Sequence, residues 1–71
     1  MRMPLKQFQA LRRAIHAAGG LLPNATARER WDMLWHVHDA KAFDVGDLYP
    51  GLTDEHIDTA LRRIAQGRFY I

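Results

Sequence analysis

The 71 residues predict a small all-α domain of three principal helices. Three observations carry that expectation. Apolar side chains recur at helical spacing in three separate segments. Two of the segments open on a threonine able to cap a helix, Thr26 and Thr53. Gly19 and Gly67 follow the first and third segments, where a left-handed residue ends a helix.

The first helix is expected from Pro4 or Leu5 to Ala18. Proline suits a first turn because that N–H has no intrahelical partner. Phe8, Leu11, Ala14, Ile15 and Ala18 share one side. Lys6, Gln9, Arg12, Arg13 and His16 share the other. The connector 21–24 carries Leu21 and Leu22, both expected to dip into the core.

The second helix starts after Thr26, and Glu29 three residues later completes a capping box. It runs to about Ala40. Trp31, Met33, Leu34, Trp35, Val37 and His38 sweep a wide apolar arc, which predicts a central helix with neighbours on two sides. Residues 43–45 admit either a short strand or an Asp44 cap over one helical turn at 46–49. Pro50-Gly51 then forces a turn. Thr53 caps the third helix, Asp54 and Glu55 lie where its dipole favours negative charge, and Ile57, Ala60, Leu61 and Ile64 form its buried stripe. Asp58 and Arg62 stand four apart in the favourable acid-first order. A two-stranded pairing of 43–45 with the apolar ending 69–71 is a further expectation.

Length and composition bound the function. One domain spans 1–71, with no cysteine and no serine, so neither a disulfide nor either of those nucleophiles is available. A hydrophobic content of 48% supports a packed core, and no apolar run reaches the roughly 20 residues of a membrane span. The absence of cysteine suits a cytoplasmic setting. Net charge is +2, but residues 1–38 carry +4 and residues 39–71 carry −2. A domain so polarised can attract an oppositely charged partner or a second copy of itself.

The chemistry-bearing side chains form no catalytic set. His36 and His38, two apart on a helix, point to different sides, while Asp32 and His36 make only a two-ligand metal site. Thr26 and Thr53 are caps, and no glycine-rich loop precedes a helix to cradle phosphate. No metal, cofactor or small-molecule ligand is therefore expected, and the chain reads as a non-enzyme.

From Thr26 onward the pattern resembles the winged-helix domains of the wider helix-turn-helix class. The matching features are the amphipathic helix 29–40, the short strand 43–45, the short helix 46–49, the recognition helix 53–66 and a first wing strand at 68–71. The resemblance covers about two-thirds of the chain and implies a DNA-binding regulator. In that family the N-terminal residues of the recognition helix meet the major groove. Here they are Asp54, Glu55, His56 and Asp58, and carboxylates repel the phosphates that supply most of the affinity. Lys6, Arg12, Arg13, Arg62 and Arg63 are the candidates for nucleic-acid contact.

The leading expectation is instead a non-catalytic module that acts through protein contacts, a small regulatory or inhibitory protein of a microbe or mobile element. Its acidic surface would comprise Asp47, Asp54, Glu55 and Asp58. Trp31, Trp35, Phe69 and Tyr70 are the aromatic interface candidates, since tryptophan and tyrosine are enriched at binding hot spots. Self-association into a homodimer would fit a core this small.

Overall fold

The computed structural model describes residues 2–48 and 50–69. It is an all-α domain of three helices, α1 (Leu5–Ala17), α2 (Ala27–Asp39) and α3 (Asp54–Ala65), with one 3-10 turn at Val45–Asp47. Helix α2 packs against α1, α3 and the 3-10 turn, so it is the central element that its wide apolar arc predicts.

Each start has a local cause. Thr26 accepts a hydrogen bond from the Glu29 N–H at 3.2 Å, and the Glu29 carboxylate accepts from the Thr26 N–H at 2.9 Å. Thr53 repeats the motif with a different partner: its hydroxyl accepts from the His56 N–H at 3.3 Å, and His56 Nδ1 accepts from the Thr53 N–H at 3.1 Å. Histidine thus takes the place that glutamate or glutamine usually fills in a capping box. Helix α1 has Pro4 before its first turn and no side-chain cap.

All three helices end in the same way. The amide two residues past the cap residue reaches the carbonyl five positions back: Gly20 to Ile15 at 2.8 Å, Ala42 to Val37 at 2.9 Å, and Arg68 to Arg63 at 3.0 Å. The residue between is left-handed, as this motif requires. Gly19 and Gly67 take it with φ of +114° and +80°, while the second helix uses Lys41 at +61°.

The core joins Met3, Phe8, Leu11 and Ile15 to Leu34 and Val37 and to Ile57, Ala60, Leu61 and Ile64. Met3 precedes α1 and yet is almost fully enclosed, at 1% exposure. Leu21 packs against this core, but Leu22 is 71% exposed. Only one of the two connector leucines therefore dips inward.

Of the two arrangements open to residues 43–45, the strand does not form and the Asp44-capped turn does. Asp44 accepts the Gly46 N–H at 2.8 Å and caps the 3-10 turn, while Phe43 N–H is used by the Val37 carbonyl at 3.3 Å. There is no strand among the described residues. Two of the three residues expected to pair with 43–45, Tyr70 and Ile71, lie outside them, as does Tyr49 at the end of the expected 46–49 turn.

Candidate functional site

Trp35 sits in the middle of α2 and is 48% exposed, although it belongs to the arc that predicts burial. Leu34 and Val37 alone supply the fully buried side of that helix. Trp31 and Met33 pack partly against the core, so Trp31 is not displayed for a partner in the way Trp35 is. The indole meets the His38 ring edge-to-face, with centroids 5.4 Å apart and planes at 87°. His38 is itself fixed, because its Nδ1 accepts the Val45 N–H at 3.1 Å. The Asp44 carboxylate stands 3.7 Å from the same nitrogen. A shallow groove of about 570 Å³ runs beside this ring, lined by His38, Asp39, Lys41, Phe43 and Asp44.

The acidic residues do not form one free surface. Asp54 and Glu55 are exposed in the first turn of α3. Asp58 is not free: Arg30 Nε lies 3.0 Å from one of its oxygens and Arg62 Nε 3.3 Å from the other. Only 23% of its side chain remains accessible. Asp47 is exposed on the 3-10 turn, where its backbone carbonyl accepts the Gln7 side-chain amide at 2.7 Å.

The basic residues do not share one place. Lys6 lines a groove with Gln7, Ala10, Phe43, Asp44 and Asp47, where two carboxylates face it. Arg62 and Arg63 line a different hollow at the far end of α3, together with Thr59, Gln66 and Arg68. Arg12 is not on an open solvated face: its guanidinium lies 4.5 Å from the centroid of the Phe69 ring, and its Nε is buried without a hydrogen-bond partner. Arg13 is exposed. Phe69 is 59% exposed, and Tyr70 lies outside the described residues.

Sequence reasoning missed two participants, and it set Arg68 near Arg62 and Arg63 without counting it among the nucleic-acid candidates. Arg68 joins Arg62 and Arg63 only through the turn at Gly67. His38 becomes the support for Trp35 only because the 3-10 turn delivers the Val45 amide to it. Arg30 reaches Asp58 across 28 positions of chain. Spacing alone could have grouped Thr59, Arg62, Arg63 and Gln66, which fall on one helical face.

Among the described residues no three histidine, aspartate or glutamate side chains lie close enough to hold a metal ion. No described helix is long and apolar enough to cross a membrane. No protein-family model, curated protein or solved structure matches the chain. What it does has to be argued from its own residues.

Proposed function

We propose that this is a non-catalytic binding module that acts in the cytoplasm through contacts with another protein or with a second copy of itself. The observation that carries this reading is the half-exposed Trp35, whose indole packs against the His38 ring. Buried tryptophan dominates many interfaces, and a ring already held in place loses little freedom on binding. Here the His38 ring packs against the indole at 87°, with centroids 5.4 Å apart. The core is complete without it, since Leu34 and Val37 on the same helix are fully enclosed. The groove beside His38 offers room for a partner side chain, with Lys41 and Asp39 at its rim for polar contacts.

Asp54 and Glu55 supply a second, charged contact. They are also why protein contacts are preferred to a DNA-binding regulator of winged-helix type: a helix entering a groove by that end would press carboxylates onto phosphates. A small regulatory or inhibitory role suits a module with one aromatic anchor and one acidic helix start.

The test is affinity capture from an extract of the source organism with three baits: the native chain, Trp35→Ala, and Asp54→Lys with Glu55→Lys. Sedimentation of each bait covers the case of a second copy. The expected result is a protein, or a dimer, present with the native chain and lost with Trp35→Ala. If Trp35→Ala and the charge-reversed chain both recover what the native chain recovers and sediment as it does, neither surface is the contact and the reading fails.

A further inference from the structure

We propose that the hollow at the C-terminal end of α3 binds the phosphodiester backbone of a single nucleic-acid strand, with Arg62, Arg63 and Arg68 on phosphates and Phe69 stacked against a base. This goes beyond the protein-binding reading and does not depend on it.

The hollow is built by helix periodicity and one turn. Thr59, Arg62, Arg63 and Gln66 recur at i, i+3, i+4 and i+7, so they line one face. Gly67, with φ of +80°, then folds the chain back, and the Arg68 N–H donates to the Arg63 carbonyl at 3.0 Å. The result is a hollow of about 310 Å³ whose five lining residues include three arginines and no carboxylate. Among the described residues, Arg63 and Arg68 have no acidic partner within 4.0 Å. Arg62 shares Asp58, whose shorter contact is with Arg30, at 3.0 Å against 3.3 Å.

Cations in a last helical turn are common because they meet the negative end of the helix dipole. That accounts for Arg62 and Arg63 but not for Arg68, which lies beyond the helix and adds a third like charge. Guanidinium forks match phosphate oxygens, and three gathered at one place are relieved of mutual repulsion when an anion enters. The neighbouring side chain points to the kind of anion. Phe69 follows Arg68 directly, is 59% exposed, and has the Arg12 guanidinium 4.5 Å from its ring centroid. Phe69 is the next residue in the chain rather than part of the hollow's lining, and basic side chains followed by an exposed aromatic ring suit single strands, whose bases are free to stack.

The experiment is fluorescence anisotropy of the full chain with a labelled single-stranded oligonucleotide of about 12 nucleotides, a usual site size for such grooves. With three phosphates engaged, affinity is expected to fall roughly 20-fold between about 50 and 200 mM salt. Arg63→Gln with Arg68→Gln is expected to weaken binding about tenfold or more at the lower salt. Phe69→Ala is expected to weaken it about fivefold or more through lost stacking. Arg2→Gln with Arg28→Gln removes the same amount of charge outside the hollow and is expected to bind as the native chain does. If the doubly neutralised chain fails to fold by circular dichroism, Phe69→Ala and the salt slope of the native chain decide. The proposal is overturned if nothing binds at about 50 mM salt. Equal losses in the charge-matched control, equal binding of polyglutamate, or binding of duplex DNA in preference to the single strand would each overturn it as well.

Discussion

Arg30 commits its whole guanidinium to the fold. Its Nε and one terminal nitrogen donate to the two oxygens of Asp58 at 3.0 and 3.3 Å, and the other donates to the Ala25 carbonyl at 2.8 Å. With side-chain exposures of 13% and 23%, this pair ties α2 to α3 in a place where water screens it little. Removing one partner of such a pair leaves the other charge stranded in partly desolvated surroundings. Asp58→Ala is expected to cost about 2 kcal/mol, less than a fully buried pair would because some solvent remains. That corresponds to a drop of roughly 8–16 °C in the thermal midpoint of a domain this small. The reference is Asp32→Ala, which breaks the 3.9 Å pair with Arg28 at exposures of 75% and 91%. Exposed pairs of that kind are worth about 0–1 kcal/mol. Equal losses from the two variants would mean that Arg30 anchors nothing. The sequence shows Asp58 with Arg62, four apart, but not with Arg30. Local spacing reveals helix neighbours, whereas a partner in another helix depends on how the two elements cross.

At the scale of the element, the ends were more legible than the faces. Thr26 with Glu29, Thr53, Gly19 and Gly67 all announce themselves, because caps are local chemistry between residues a few positions apart. Lys41 does not. The end of α2 requires a left-handed residue, and nothing in lysine signals that it will supply one. Its φ of +61° puts Cβ against the carbonyl that follows. Lys41→Gly is therefore expected to stabilise the domain by up to about 1 kcal/mol, once the extra freedom of glycine in the unfolded chain is set against the relieved strain. A urea midpoint that falls on this substitution would rule the account out. His56 was equally hidden, because its imidazole stands in for the usual carboxylate or amide of a capping box. The opposite box behaves in the ordinary way. Hydrogen bonds from the Thr26 backbone amide and then from its side chain hold the Glu29 carboxyl below its ordinary value of 4.5. A depressed carboxyl adds stability that is complete above its unfolded value and is lost as pH falls through the folded one. Glu29→Gln keeps an acceptor at that position but cannot titrate. The thermal midpoint of the native chain is thus expected to exceed that of Glu29→Gln at neutral pH. The gap should close as pH drops below about 4.5. A gap that stays constant down to acid denaturation would show that the carboxylate contributes nothing beyond its shape.

For the whole molecule, the decisive contrast lies between neighbours in α2. Leu34 is fully enclosed among side chains from all three helices, whereas Trp35 turns outward beside His38. The wide apolar arc of this helix reads in the sequence as contact with neighbours on two sides, with Trp35 inside the arc. Among the described residues three helices surround this core, however, and α1 and α3 together cover the side of α2 that bears Leu34 and Val37, leaving Trp35 half-exposed. No fourth α-helix lies over the indole among the described residues. Two adjacent substitutions should therefore separate folding from recognition. Leu34→Ala opens a cavity where no water can follow and is expected to cost about 3 kcal/mol, a large share of the stability of so small a domain. Trp35→Ala removes a ring that is half in water already and is expected to cost about 1 kcal/mol or less, most of it from the lost contact with His38. Thermal unfolding of both variants, read beside the capture experiment, gives the outcome directly. If Trp35→Ala unfolds the domain as readily as Leu34→Ala does, the tryptophan belongs to the core and its exposure is incidental. If it leaves the fold standing and abolishes partner recovery, the indole is the contact that the helices hold ready.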